Sequence, residues 1–143
     1  MKRNLMTGIL TTLAPVLLFS VPSTYAQTAI RATVPFNFTV GKAEMPAGTY
    51  TINRLSSSAI EIKGSTTKKS AVSIVWSEGA SASDSDAKLV FNRYGDSYFL
   101  SQVTRGSGAN VMQLPTSKLE QEQRIASTSG ASGQKVVAAR LQK

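Results

Sequence analysis

Residues 32–52 read ATVPFNFTVGKAEMPAGTYTI, and this stretch decides the fold. Ala32, Val34, Phe36, Phe38 and Val40 fall on one face of an extended chain, and Thr33, Asn37 and Thr39 fall on the other. A two-residue alternation of this kind belongs to a strand with one buried face. Gly41 ends the run. Met45-Pro46-Ala47-Gly48 then places proline second and glycine fourth, the preference of a type I turn. From Thr49 to Leu55 the alternation resumes, with Tyr50 and Ile52 inward. The stretch therefore reads as scaffold with a core face of Val34, Phe36, Phe38, Tyr50 and Ile52, and its Pro-Ala-Gly loop as shape without chemistry.

Upstream of it, Lys2 and Arg3 precede a short apolar run from Ile9 to Phe19, and Thr24-Tyr25-Ala26 has the small residues of a cleavage site. That layout predicts a secretory signal peptide over residues 1–26, with Gln27 as the first mature residue. The run falls short of the roughly 20 apolar residues that span a bilayer. No later segment approaches that length, so no transmembrane span is expected after cleavage, and the expected location is periplasmic or extracellular.

Downstream, Ile60 and Ile62 predict a third short strand. Val72, Ile74 and Trp76 share one face of a fourth, with Val75 opposite and Trp76 as a core anchor. Ser77–Asp86 (SEGASASDSD) reads as an exposed low-complexity loop. Leu89, Val90 and Phe91 are consecutive, the mark of a strand buried on both faces. Gly95-Asp96 makes a hairpin turn into a partner strand over Ser97–Thr104. Ser117 and Glu120 have capping-box spacing, so 117–126 predicts a helix, with Leu119, Ile125 and Ala126 as the residues able to face a core. Val136–Leu141 is assigned to a possible last strand, 135–141.

These signals predict an all-β fold, an antiparallel β-sandwich or small barrel of about seven short strands with a short C-terminal surface helix. The expected organisation is a β-domain over 27–115 and a tail over 116–143.

Among the 143 residues there is no cysteine and no histidine. Disulfide stapling is excluded, and so are Ser-His-Asp, Cys-His and His-ligated zinc chemistry. With Lys2 and Arg3 removed, the net charge falls from +8 to +6. An excess of that sign fits anionic partners or simple solubility. The basic residues are scattered along the chain, with Lys68-Lys69 adjacent, and no focused stripe is visible. Basic residues interleaved with aromatics on one exposed face are not visible either, which argues against nucleic acid.

Ser65-Thr66-Thr67-Lys68 matches S-x-x-K, but between two strands it reads as a solvated turn. Glu78, Asp84 and Asp86 could hold a hard cation, yet they lack the glycine and terminal glutamate of an EF-hand loop. No cofactor motif is present, and no catalytic or metal set is assigned. Glu44 and Glu61 are the acids that a carboxylate-only hydrolase would need to bring together. Arg93, Tyr94, Asp96 and Tyr98 surround one tight turn with a mixture common at recognition surfaces, and this turn is the candidate partner contact. The alternative is a structural hairpin whose tyrosines cover the core edge while Arg93 pairs with Asp96.

Three motifs together, VPFNFTVG at 34–41 with PAGTYTI at 46–52, LVFNRYGDSYFLSQV at 89–103 and LPTSKLEQE at 114–122, resemble a family of small exported bacterial proteins of uncharacterised function. Related hairpins often continue into an aromatic residue where this chain has Thr104. The resemblance implies export and a β-domain. It implies no activity; the functional expectation, resting on the missing catalytic set, is a non-catalytic binding or structural component of the cell envelope, with another envelope protein or an anionic envelope polymer as partner. The alternatives are a carboxylate-only hydrolase and an electrostatic binder of such polymers.

Overall fold

A computed structural model describes residues 28–80, 86–106, 110–127 and 132–142. The expected signal peptide over 1–26 lies outside the described residues, as does Asp84. The first predicted strand is broken. It forms β1 (Ala29–Val34) and β2 (Phe38–Val40), which part at Pro35, a residue with no N–H to give to a ladder. After β3 (Ala43–Met45) come β4 (Gly48–Ser56) and β5 (Ala59–Gly64), antiparallel neighbours. The predicted fourth strand divides into β6 (Ser70–Ile74) and β7 (Trp76–Ala80) on either side of Val75. The remaining elements are β8 (Lys88–Tyr94), β9 (Ser97–Thr104), β10 (Asn110–Gln113), α1 (Lys118–Ala126) and β11 (Ser132–Gln142).

The class is all-β, with eleven strands among the described residues rather than about seven. Neighbouring strands follow the order β3-β2-β9-β8-β11-β1-β4-β5-β6, with β10 against β9 and β7 against β10. Every pair is antiparallel except β2 with β9, so the sheet is mixed. Closure comes from the segment 70–80. Its first half pairs with β5 and its second half with β10, so one stretch of chain links the β6 end of the strand order to β9 through β10. At the join, the Val75 side chain is buried and its N–H donates to the Ser58 carbonyl at 2.9 Å. The result is a nearly closed barrel.

That join corrects the reading of the fourth strand. Ala71 and Val75 point into the core, whereas Val72 is 65% exposed, Ile74 68% and Trp76 46%. Trp76 is not a core anchor. Alternation along one strand identifies two faces but not which is inward, and here the more apolar face is outside. Ser77–Ala80, assigned to a loop, belong to β7.

Elsewhere the pattern and the packing agree. Val34, Phe38, Tyr50 and Ile52 are buried, and Phe36 packs partly buried against them. Phe91 is fully buried at the centre of an aromatic cluster, edge-on to Phe36 at 5.1 Å and to Phe38 at 5.2 Å between ring centroids. Phe38 in turn meets Tyr50 edge-on at 5.1 Å. Edge-to-face contact of this kind adds to the burial of apolar area. Leu89, Val90 and Phe91 are all buried, as three consecutive apolar residues predict, and a bulge between Val90 and Phe91 re-aims the strand.

The last strand extends further than 135–141 and is no appendage. It lies between β8 and β1, pairing Ser132–Ala138 with β8 and Ala139–Gln142 with β1. Ser132–Gln142 are therefore part of the sheet. Gly64 shows why one residue type is needed where β5 turns: a Cβ there would lie 2.6 Å from the Thr67 carbonyl oxygen.

Candidate binding cleft

The β8–β9 turn is tight because Gly95 adopts φ +60°, a region that favours glycine. Strand alternation then sends its four candidate residues to different places. Arg93 lies opposite Tyr98 in the ladder, and its guanidinium carbon stands 5.7 Å from the Tyr98 ring centroid, within cation–π range. Its Nε donates to the Gly95 carbonyl at 2.7 Å. Among the described residues, no ion pair joins Arg93 to Asp96. The expected pairing gives way to the nearer backbone carbonyl and the ring. Tyr98 is stacked on Phe36 with centroids 4.0 Å apart, so the phenol closes the end of the aromatic cluster.

Tyr94 points away from that group, beneath α1. Ser117 caps this helix by accepting from the Glu120 N–H at 3.1 Å. The other half of the capping box is not made. Glu120 turns inward instead, 3% exposed, and its Oε1 accepts from Asn92 Nδ2 at 2.8 Å and from the Tyr94 hydroxyl at 3.3 Å. Leu119, Ile125 and Ala126, the expected core-facing residues, are exposed. A carboxylate thus fastens the helix to the sheet, an inversion that hydrophobic spacing could not reveal.

Burial, together with the neighbouring Glu120 carboxylate that accepts its proton, holds the Tyr94 hydroxyl above its ordinary pKa of 10.0. A raised pKa means that the folded chain keeps this proton after the unfolded chain has released it. The associated stability is present below pH ~10 and is lost as pH rises through the folded value. We expect the stability advantage of wild type over Tyr94→Phe to shrink as pH climbs above about 10. Urea midpoints for both proteins between neutral and strongly alkaline pH measure it; parallel curves would exclude the linkage.

Asp96 and Tyr98 border an open cleft of about 520 Å³ together with Asn37, Glu44, Lys69 and Leu119. Its walls come from four separated parts of the chain: the segment 37–46, the β5–β6 turn, the β8–β9 hairpin and α1. Asn37 sets the first wall, accepting from the Ala47 N–H at 2.9 Å, while the Tyr50 hydroxyl donates to the Pro46 carbonyl. The Pro-Ala-Gly loop thus contributes to the candidate site, contrary to its reading as shape alone. Glu44 and Asp96 both line the cleft. Glu61 does not reach it and lies on the outer face of β5 opposite Val72. Both cleft carboxylates are exposed to solvent.

Among the described residues, no group of His, Cys, Asp or Glu is arranged to hold a metal ion, and no helix is long and apolar enough to cross a membrane. Comparisons with protein-family models, curated proteins and solved structures find no match to this chain. The barrel and its cleft must therefore be read from their own chemistry.

Proposed function

We propose that this protein is an exported, non-catalytic β-domain that acts by binding, or as a structural component, in the cell envelope. One observation carries the binding reading: four separated chain segments converge on a cleft that mixes carboxylate, ammonium and amide groups with Met45, Phe99 and Leu119. A concave, mixed surface of this sort suits a ligand with both polar and apolar groups. The amino-terminal layout and the motif resemblance support export. Exposed carboxylates support binding over hydrolysis, because general-acid work calls for a carboxyl withdrawn from water.

Glycopeptide fragments released from the envelope are the probe for this reading. Added to the protein, they are expected to shift backbone resonances at Asn37, Glu44, Asp96 and Leu119, with the fragments recovered intact after prolonged incubation. Shifts elsewhere, or none, would remove the cleft from the assignment. The presence of Glu44 and Asp96 on one cleft favours carboxylate-only hydrolysis as a second reading. Fragment cleavage abolished by Glu44→Gln would establish it in place of the first.

A further inference from the structure

The register of five strands lines up cations that are far apart in the chain. Arg140 of β11 lies directly opposite Arg31 of β1. Arg31 faces Thr51 of β4, Thr51 faces Lys63 of β5, and Lys63 faces Ser70 of β6. Residues in one such row share a face, and Arg31, Lys63 and Arg140 are all exposed. Among the described residues, none of the three is in an ion pair. Like charges directly opposite one another across a ladder are destabilising. Arg31 against Arg140 is therefore a cost to the fold that an external anion would relieve.

The same outer face is also apolar. Two rows along from Lys63, Ile74 lies opposite Ala59, beside the bulge that holds exposed Leu55. Val72 and Trp76 flank Ile74 in the alternation, and all three are exposed. Between the cation row and this strip stands Glu61, opposite Val72. A polyanion in water would be met by the cations alone and would gain nothing from four exposed apolar side chains. An anionic bilayer offers phosphate to the cations and an acyl boundary to the apolar strip, with tryptophan at the depth it favours.

We propose that this face, formed by β11, β1, β4, β5 and β6, docks the protein on an anionic lipid surface. The basic row makes the electrostatic contact, and Leu55, Val72, Ile74 and Trp76 enter the interface. The cleft beside the β8–β9 turn plays no part in it, so the two assignments stand or fall separately.

Trp76 is the sole tryptophan and reports its own environment. The test uses residues 27–143, which contain every described element, and a cooperative urea transition establishes that each variant is folded. Vesicles rich in phosphatidylglycerol are expected to shift Trp76 emission to the blue, whereas pure phosphatidylcholine at equal lipid is not. Arg31→Ala with Arg140→Ala should weaken binding about fivefold per cation removed. Ile74→Glu should abolish the emission shift while leaving the urea transition in place. Binding should also fall at about 1 M salt, where screening leaves a reach of about 3 Å.

No shift with anionic vesicles would overturn the proposal. So would binding retained in Ile74→Glu and matched by a soluble anionic polymer, which would mark charge alone. A blue shift that grows with protein concentration in the absence of lipid would assign the strip to a second copy and overturn it as well.

Discussion

Phe91→Ala is expected to remove about 3–5 kcal/mol of stability, the range for deleting a buried aromatic ring from a packed core. Phe91 is fully buried and contacts both Phe36 and Phe38 of the opening stretch edge-on from the β8–β9 hairpin, where Tyr98 reaches Phe36 alone. The space left behind is lined by rings anchored on separate strands, which cannot collapse into it together. Against a typical total of about 5–15 kcal/mol, this loss brings the domain near the edge of folding. Urea denaturation followed by far-UV circular dichroism measures it as a lowered midpoint at an unchanged slope. A loss under about 1 kcal/mol would mean that the core is more pliable than its edge-to-face contacts imply.

The second large effect is expected at Glu120. Glu120→Ala leaves Asn92 Nδ2 and the Tyr94 hydroxyl without the acceptor they share beneath α1. Each part-buried donor so orphaned costs about 1–2 kcal/mol, and the helix has little apolar face to hold it otherwise. We expect a total loss of about 2–4 kcal/mol, with hydrogen exchange across 118–126 accelerated well beyond that of the strands. Glu120→Gln keeps a carbonyl acceptor and should lose less than half as much. Equal losses in the two variants would show that charge, rather than acceptance of those two hydrogen bonds, secures the helix. Ser117→Ala, which removes only the cap, provides the scale: about 1 kcal/mol.

Much of the scaffold was legible because it is written locally. The alternation from Ala32 to Ile52, the apolar triplet at 89–91, the turn at Gly95 and the Ser117 cap each depend on residues within a few positions of one another, and each appears in the structure. What stayed hidden depends on position in the whole sheet. The inward face of 71–76 is decided by Val75 at the point where the chain leaves β5 for β10, not by the apolar content of either face. Ser132–Gln142 has few buried side chains, since a strand between two others is held chiefly by its backbone, and backbone pairing leaves little trace in composition. The cleft draws on four distant segments. The Arg140–Arg31–Lys63 row exists only once the register of four strands is set, so cations that look scattered along the chain become neighbours in space. Of the turn residues singled out from sequence, Asp96 and Tyr98 reach the cleft, while Arg93 and Tyr94 are committed to contacts of their own.

The placement of β11 has a consequence in time. Ala29 pairs with Gln142, so a partner for the first strand is among the last residues that a ribosome adds to the barrel. Until then β1 and β8 each keep one edge unsatisfied, and the sheet is an open ribbon able to pair with any extended chain nearby. Closing a loop of more than 100 residues also places this domain among slow folders. A polypeptide built this way cannot close its sheet until residues 132–142 have been made. A chain lacking residues 132–142 would carry two bare edges, on β1 and β8, and its fate would be aggregation rather than a slightly loosened fold.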